Sequence, residues 1–394
     1  MSRSSTSMSK SINANPGAHQ THITLNLPTE APLVKLEISE GRSILLDPNY
    51  VVHMNKSLVS RATMVVDASG EFPEADGVKL VAKISWLNKK WQNELEIMQH
   101  TWSCGKGIGN YPARVFGYYE VNEDTSETSS KLGFSDSFLR PAQAMRILIP
   151  KGLNPIAEVQ GQQLFSAWAH CVGANYVSWK GEAYHQDISL NNLMDRCVDK
   201  KPHGTLSDWE LSCTRHSEFS GNYDLTATIP FLPLIVMYTR IMGAPNPRNL
   251  TSDLESLVWV LLWAFMFYEN RKPVSGDKNL ELVQVSDLER CYTTKMMLIP
   301  GIFRGDVKIR AEWGNFRILA DRLARWTKKE YDAVLEDPEL GDVRPDENIG
   351  HFLALLGESK PQSLDLMHEL ILDMPKSPGQ YSPWVQSVDG ERSI

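Results

Sequence analysis

The spacing of hydrophobic and polar residues divides the chain into a strand-rich first part and a helix-rich second part. Short apolar stretches alternate with turn residues over 33–66, and the stretches at 78–86, 114–120 and 145–149 have the β-branched and aromatic content typical of strands. Residues 91–100 instead carry apolar side chains at helical spacing. The first part is therefore predicted to be a small sheet that one helix interrupts.

Helix-breaking residues separate this part from the next. The segment PKGLNP at 150–155 has the composition of a linker, and helices are predicted after it, beginning with 158–176. A later helix is predicted to open on a capping box of Ser252 and Glu255, and its apolar residues then occupy every face. A helix that is hydrophobic all round is expected in the middle of its lobe.

These patterns predict an α+β fold with a small β-rich N-terminal lobe and a larger helical C-terminal lobe. We assign residues 30–150 to the N-terminal lobe and residues 151–345 to the C-terminal lobe. Residues 1–29 are rich in Ser and contain no acidic residue, and they are predicted to be a disordered tail. Residues 346–394 lose periodicity and are predicted to be a C-terminal extension, and the polar stretch 122–137 is predicted to be a mobile insert.

Composition and charge narrow the range of partners. The 394 residues carry a net charge of −8, and no stretch has the clustered Lys and Arg that bind nucleic acids or anionic membranes. The longest continuous apolar run, 257–268, is too short to cross a bilayer. The five cysteines are scattered without a CxxC pair, which argues against zinc and favours an intracellular location, cytoplasmic or nuclear. Neither a nucleic acid nor a membrane is predicted as a partner.

The strongest chemical signal is the segment YHQDISLNNLM, which is too polar and too irregular for a helix. Asp187 can take or orient the proton of an attacking hydroxyl group, and Asn192, five residues later, can offer its carbonyl oxygen to a magnesium ion. A turn with Asx hydrogen bonds is the alternative for this pattern taken alone. Residues 193–198 and 205–207 can pair as a hairpin, which would bring Asp208 near Asn192, where both can bind one metal ion.

Lys83 is unusual because it lies inside a predicted apolar strand. Exposure at a sheet edge would explain it, but Glu94 lies eleven residues on, in the following predicted helix, where it can pair with the lysine and fix its direction. Glu96 would point to another face of that helix. Lys83, paired with Glu94, is therefore the candidate cation for nucleotide phosphates.

The order of six motifs along the chain resembles the fungal-specific protein kinase-like family, which is found mainly in mushroom-forming fungi. The motifs are VAK, NELEIM, HQDISLNN, SDWELS, TATIPF and SDLESLVWVLLW, and they cover about residues 50–270. The resemblance implies a two-lobed protein kinase-like fold. It also implies ATP- and Mg²⁺-dependent phosphorylation of a protein substrate, at a Ser or Thr hydroxyl group or, as a second choice, at Tyr.

The resemblance also implies a role for each candidate residue. Lys83 contacts the phosphates of ATP, and Glu94 holds Lys83. Asp187 is the catalytic aspartate, and Asn192 and Asp208 bind magnesium. A further aspartate, Asp253 at the start of the buried helix, braces the catalytic loop.

Three departures from the kinase pattern weaken the expectation of full activity. The segment NKSLVSRAT at 55–63 has no glycine where kinases place glycines over the phosphates. Gln186 replaces the arginine that usually precedes the catalytic aspartate, and Ile235 stands where the glutamate of the Ala-Pro-Glu motif is expected. An ion pair that ties this segment to the lobe is then missing, so reduced or lost activity is one expectation.

Two other function classes fit parts of the sequence. Small-molecule phosphotransferases of the aminoglycoside and choline type share the His-x-Asp loop and often have Asp-Trp-Glu at the second metal site, as in residues 208–210. The 27 positions from Asp208 to Ile235, with Tyr223, Thr226 and Thr228 among them, have the length and content of an activation segment and favour a protein kinase. A pseudokinase scaffold that transfers nothing is the other alternative.

Overall fold

A computed structural model describes the parts of the chain that form the fold. The described residues are 33–38, 42–54, 62–70, 72, 77–89, 91–103, 113–125, 131, 142–198, 201–214, 228–244, 250–274, 287–337 and 345–357. The predicted tail 1–29 lies outside them, as do most of the predicted insert 122–137 and the last part of the predicted C-terminal extension, from residue 358.

An antiparallel sheet forms the first part of the protein. Its strands lie in the order β1-β2-β3-β4-β6-β5. Their bounds are Val34–Ile38 for β1, Arg42–Met54 for β2, Met64–Gly70 for β3, Leu80–Asn88 for β4, Val115–Asp124 for β5 and Gln143–Pro150 for β6. One face packs a small core in which Ile44, Val66, Ala82 and Ile149 are almost fully buried. The predicted sheet is confirmed.

Helix α1, Glu94–Ser103, follows β4 and packs Ile97 and Met98 into the larger core. It begins three residues later than the apolar spacing indicated, because the Asn93 side chain accepts a hydrogen bond from the Leu95 backbone N–H at 2.9 Å. This is the contact of a helix N-cap residue. Glu94 is therefore the first residue of the helix, directly after a fixed turn.

The predicted linker carries the chain from the first sheet to the second part. Strand β6 ends at Pro150, and the Gly152 N–H donates to the Lys79 carbonyl at 2.8 Å, so the linker stays attached to the first sheet. Two residues further on, β7 (Asn154–Pro155) already pairs with strand β9, Leu193–Val198, of a different sheet. The change from strand-rich to helix-rich structure occurs within these few residues.

Helices dominate the second part of the described chain. Their bounds are Gly161–Lys180 for α2, Leu234–Ile241 for α3, Leu250–Phe267 for α4, Leu288–Arg304 for α5, Arg317–Glu336 for α6 and Pro345–Gly357 for α7. Their apolar side chains form one large core, which α1 and strands β5 and β6 also join. The predicted α+β class, with a β-rich first part and a helical second part, is confirmed.

Helix α4 lies at the centre of this core. Every one of its residues is buried, which confirms the position predicted from its all-round hydrophobicity. By length and composition it could also span a membrane, but it is completely buried inside the protein. The predicted capping box is wrong: the helix begins at Leu250, so Ser252 lies inside it, and the Glu255 carboxylate bonds to the Leu234 N–H and to the Trp259 indole instead.

Short strands surround the predicted catalytic loop. Strand β8 (Ala183–Tyr184) precedes it and pairs with β11 (Cys213–Thr214). Strand β9 pairs with β10 (Lys201–Leu206) in a hairpin, as predicted, but β10 begins four residues before the predicted strand 205–207, because the pairing already starts at Val198 and Lys201. Gly204 makes close packing of this hairpin on α2 feasible, since a Cβ atom there would lie 1.8 Å from the Ala167 carbonyl oxygen.

The division of the chain into lobes and extensions stays a prediction. Helix α7 begins at the predicted boundary between the C-terminal lobe and the extension, and it packs against α4 and α6. Its residues Ile349, Phe352 and Leu356 are buried in the large core. The first part of the predicted extension therefore contributes to the core of the second part.

Candidate active site

Lys83 lies in a buried group of carboxylates where the two parts of the protein meet. Its Nζ atom is 2.8 Å from Glu94 Oε2, 2.8 Å from Asp208 Oδ1 and 3.0 Å from Glu210 Oε1. The Glu94 carboxylate also accepts a hydrogen bond from the Trp209 backbone N–H at 2.8 Å. We call Lys83, Glu94, Asp208 and Glu210 the Lys83 cluster.

The charges in the Lys83 cluster are not balanced. Burial disfavours the Lys83 ammonium, but the charges of Asp208, Glu210 and Glu94 together outweigh burial and raise its pKa. Burial raises the pKa of Glu94 to about 7, against the attraction of Lys83 and with the repulsion of Glu210 and Asp208. One ammonium thus faces three carboxylates. A divalent cation would supply the missing positive charge.

The hairpin of β9 and β10 brings the two predicted metal ligands to neighbouring positions. Asn192 precedes β9, and its carbonyl oxygen accepts from both the backbone N–H of Ser207 at 2.9 Å and its hydroxyl group at 3.1 Å. Asp208 directly follows Ser207, and its positive φ of 61° is uncommon for a residue other than glycine. Such backbone strain tends to persist at functional sites.

Asp187 is held by hydrogen bonds on both sides. Its Oδ1 atom accepts from the Thr228 backbone N–H at 3.1 Å and from the Thr228 hydroxyl group at 3.3 Å. The Asn192 amide nitrogen donates to the Asp187 carbonyl at 2.7 Å and lies 3.4 Å from its Oδ2 atom. With its nitrogen directed to Asp187, Asn192 keeps its amide oxygen as the atom that can bind a cation.

The neighbours of Asp187 have structural roles. His185 is fully buried, its Nε2 atom lies 3.0 Å from the Ser207 carbonyl oxygen, and burial lowers its pKa to about 4. Its ring packs 4.7 Å from that of Trp209. Gln186 has a φ of 65° and donates to the Cys213 sulfur on β11. A packed neutral histidine fits these contacts better than a general base does.

Asp253 connects the central helix α4 to the entry of the catalytic loop. Its Oδ2 atom accepts from the Trp179 indole N–H at 3.1 Å. The Trp179 ring lies 4.3 Å from the ring of Tyr184, which precedes the loop on β8. Asp253 therefore contacts the start of the catalytic loop through Trp179 and Tyr184. This indirect contact is compatible with the supporting role that the resemblance implies for Asp253.

The segment around Ile235 is attached to the lobe by buried hydrogen bonds. Ile235 itself is buried on α3. One residue before it, the Leu234 backbone N–H donates to the Glu255 carboxylate at 2.8 Å, and the Trp259 indole N–H donates to the same oxygen at 2.9 Å. Burial raises the pKa of Glu255 to about 7, against the attraction of Lys295. This carboxylate comes from α4 rather than from the position that Ile235 occupies.

A second buried lysine supports the same segment. The Lys295 Nζ atom donates to the Leu232 carbonyl at 2.6 Å and lies 4.3 Å from the centroid of the Trp259 ring. We call Lys295, Glu255, Trp259 and the Leu232 carbonyl the Lys295 cluster. A 3₁₀ turn links it to Thr228, because Leu232 directly follows the helix Ile229–Phe231, for which Thr228 is the N-cap.

Sequence reasoning placed Lys83, Glu94 and Asp208 in one site, and the structure brings these three side chains together. Sequence reasoning did not assign roles to Glu210, to the Thr228 contact with Asp187, or to the Lys295 cluster. Only Glu210 had a visible signal, as a carboxylate two positions after a predicted metal ligand. Most of the glycine-free segment 55–63 lies outside the described residues, as do Tyr223 and Thr226.

Two of the candidate residues offer oxygen atoms of the kind that bind magnesium together with substrate phosphates. In the described part of the chain, groups of three or more His, Cys, Asp or Glu side chains that could enclose a metal ion do not occur. Magnesium usually keeps water ligands and is bound by one or two carboxylates together with substrate phosphates. Asp208 and Asn192 provide ligands of that kind.

Part of the chain matches a family of protein kinases. Residues 142–265 match the family model described as fungal protein kinase. This segment contains Asp187, Asn192 and Asp208, and the match confirms the fungal protein kinase-like resemblance there. No curated protein matches the chain. Among solved structures, vaccinia related kinase 3 aligns with 11% identity and a TM-score of 0.41, over 70% of this chain and 77% of its own.

Proposed function

We propose that the protein transfers the γ-phosphoryl group of ATP to a Ser or Thr hydroxyl group of a protein substrate, with Mg²⁺ as cofactor. The observation that carries this proposal is the fixed Asp187 carboxylate, which Thr228 and Asn192 hold in position. The Lys83 cluster adds a buried cation for the phosphates. The fungal protein kinase match over residues 142–265 supports the same class of reaction.

Each residue has a defined part in this reaction. The Asp187 carboxylate orients the substrate hydroxyl group and accepts its proton as the oxygen attacks the γ-phosphorus atom. The bond from phosphorus to the bridging β,γ-oxygen breaks, and ADP leaves with that oxygen. Lys83 contacts the nucleotide phosphates, and Glu94 holds the ammonium in place through its bond at 2.8 Å.

The metal ion would be held by Asp208 and Asn192. When bound, Mg²⁺ neutralises charge on the phosphate oxygens. Asp208 now contacts Lys83 at 2.8 Å, and its side chain is 28% exposed, the most of the three carboxylates in the Lys83 cluster. It is therefore the carboxylate best placed to turn from the lysine to a cation.

A protein acceptor and an intracellular location complete the proposal. The 27 positions from Asp208 to Ile235 leave room for an activation segment, which protein kinases use and small-molecule phosphotransferases lack. Thr228, at the end of that segment, touches Asp187. Thr228 therefore links this segment to the residue that is proposed to accept the proton of the substrate hydroxyl group.

Asp187→Asn tests the proposal. The change keeps the shape of the side chain but removes the proton acceptor, so the rate of phosphoryl transfer should fall by about 10²- to 10⁴-fold while ATP affinity changes little. The measurement is transfer from labelled ATP to the protein itself and to generic Ser/Thr acceptors, at saturating ATP and magnesium. Nucleotide binding is measured in parallel by calorimetry.

Asp321→Asn is the matched control, because Asp321 lies on α6 and pairs with Arg325 far along the chain from the site. This variant should transfer phosphate at the wild-type rate. If wild type shows no transfer above Asp187→Asn across a broad set of acceptors, the enzyme proposal fails. The protein would then be a kinase-like scaffold.

A further inference from the structure

Glu210 is a buried carboxylate of the Lys83 cluster to which the proposed reaction gives no part. Its side chain is 0% exposed, and its Oε1 atom lies 3.0 Å from Lys83 Nζ. Its other oxygen, Oε2, lies 3.5 Å from the Thr63 hydroxyl group, just before strand β3. Glu210 therefore touches both the strand-rich part of the protein and the lysine that would receive phosphates.

Lys83 donates hydrogen bonds to Glu94 and Asp208, and it forms an ion pair with Glu210 at 3.0 Å. An ammonium group has three N–H bonds, and Lys83 faces three carboxylates at 2.8 to 3.0 Å. Of these, Glu94 is also fixed by the Trp209 backbone N–H. When Asp208 turns to a metal ion it frees one donor for phosphate, but Glu210 remains buried beside the ammonium.

The charge of Glu210 opposes the approach of phosphate. A phosphate group that reaches Lys83 meets one positive charge and the charges of Glu94, Asp208 and Glu210, and a buried carboxylate is poorly screened. Lys83 alone therefore attracts a nucleotide weakly. A divalent cation at Asp208 and Asn192 would cancel the excess negative charge that one ammonium and three carboxylates leave.

We propose that Glu210 makes nucleotide binding conditional on a divalent cation, by cancelling the attraction of Lys83 for phosphates that arrive without metal. Glu210 is a positioning residue in this role, because it acts through Lys83. The inference rests on the proposed function, since it concerns ATP at the same site. It adds that the metal-free nucleotide is excluded by this chain's own buried carboxylate.

The test compares ATP affinity in magnesium with ATP affinity in EDTA, measured by calorimetry on the full chain. For wild type we expect the affinity in EDTA to be at least 100-fold weaker. Glu210→Gln keeps the size of the side chain and removes its charge, so the ratio between the two conditions should narrow by about tenfold or more. Glu210→Asp keeps the charge and should retain a ratio close to that of wild type.

Glu120→Gln is the control for losing an ion-paired carboxylate from the sheet that carries Lys83. Glu120 lies on β5 and pairs with Arg146 at 2.9 Å, away from the Lys83 cluster. The ratio of ATP affinities in magnesium and in EDTA should therefore be the same for Glu120→Gln as for wild type. A general loss of packing would weaken ATP binding equally with and without magnesium. Only a charge effect on the phosphates changes the ratio.

The outcomes separate this inference from the proposed function. If wild type binds ATP with magnesium and Glu210→Gln leaves the ratio unchanged, the role of Glu210 is refuted and the phosphoryl-transfer proposal stands. If wild type binds ATP under neither condition, both fail. If Glu210→Gln does not fold, the wild-type protein still tests the inference. A wild-type ATP affinity in EDTA within about threefold of that in magnesium overturns it.

Discussion

Two buried lysines in this protein have opposite surroundings. Lys83 is 8% exposed and Lys295 is 0% exposed, so both ammonium groups are removed from water. At Lys83, burial opposes the charge but three carboxylates together outweigh it, and the pKa is raised. At Lys295, burial lowers the pKa to about 8, although Cys291 and Glu255 partly offset it. Excess negative charge therefore stabilises the Lys83 ammonium. The Lys295 ammonium has less negative charge around it and donates to a backbone carbonyl group.

The lysine proposed to contact phosphates and the lysine that supports the Ile235 segment differ in their charge balance. The Lys295 cluster contains one ammonium and one carboxylate, and each of them bonds to the backbone of the same segment. The Lys83 cluster has more carboxylates than cations, and Asp208 remains partly exposed. Burial is common to both. What distinguishes the Lys83 cluster is an excess of negative charge beside a partly exposed carboxylate.

Lys83→Met should give the largest loss of stability. It leaves three carboxylates together without their cation, and removal of one partner from a buried ion pair costs about 3–5 kcal/mol. Millimolar magnesium should restore part of the free energy of unfolding, because a cation at Asp208 replaces some of the lost charge. Urea unfolding in EDTA and in magnesium measures both effects.

Lys79→Met provides the matched control. Lys79 pairs with Asp67 at 3.2 Å, but its side chain is 65% exposed, and exposed ion pairs contribute about 0–1 kcal/mol. Magnesium should not change the stability of this variant. A Lys83→Met protein as stable as Lys79→Met would show that the carboxylates of the Lys83 cluster do not depend on the lysine.

Lys295→Met should have a smaller effect on stability. Methionine fills a similar volume, while the Leu232 carbonyl loses its donor at 2.6 Å and the Trp259 ring loses its cation. One buried acceptor left without a partner costs about 1–3 kcal/mol. The ratio of ATP affinities with and without magnesium should stay at the wild-type value, which separates this lysine from Lys83.

Lys328→Met is the control for Lys295. Lys328 lies on α6, is 38% exposed and pairs with Asp332 four residues on, so its loss should cost about 0.5 kcal/mol or less. Urea unfolding at one pH compares the two variants. If Lys295→Met changes the metal dependence of ATP binding, the assignment of the Lys295 cluster to structure is wrong.

Local sequence predicted those parts of the site that local rules control. The spacing of Lys83 and Glu94 placed them on a strand and on the following helix, and the side chains meet at 2.8 Å. The hairpin of β9 and β10 followed from alternation and a turn, and its strands pair Leu193 with Leu206. Both features join residues within one supersecondary unit, where periodicity and turn chemistry are sufficient.

Long-range contacts could not be predicted in the same way. Glu255 fits the pattern of a capping box, but a tertiary contact with the Leu234 N–H takes its carboxylate instead. Lys295 bonds to a carbonyl 63 residues earlier, and no periodicity links such positions. Glu210 reaches Lys83 after the left-handed residue Asp208, a backbone conformation that the sequence SDWELS does not specify.

The stacked rings of His170 and His203 extend the comparison from lysines to histidines. The rings of His170 on α2 and His203 on β10 stack 4.0 Å apart, on the hairpin that ends at the proposed metal ligands. Burial and the charge of Arg196 lower the pKa of His170 to about 4. Burial, His170 and Arg196 lower that of His203 to about 3. These bases stay neutral where Lys83 stays charged.

The stability that depends on the histidine pair should therefore be lost in acid. A folded-state pKa below the ordinary value of 6.5 means that the unfolded chain binds more protons between about pH 6.5 and 4, so this contribution is present above pH 6.5 and falls as pH falls. Glu94 and Glu255, with pKa values raised to about 7, change stability in the opposite direction over part of this range. A variant must be compared with wild type to isolate the histidines.

His203→Gln removes one of the two titrating rings while keeping a polar side chain of similar length. Its stability should lie below wild type at pH 7.5, and the gap should narrow by about 1 kcal/mol by pH 4.5, less than the full pKa shift would give because His203 is partly exposed. Urea unfolding at intervals of pH measures the two curves. His351→Gln, an exposed change on α7, is the control for losing a histidine elsewhere in the chain. If the stability curve of His203→Gln runs parallel to that of wild type, protonation of the stacked pair does not oppose folding, and the neutral state of these histidines does not stabilise the packing of the hairpin on α2.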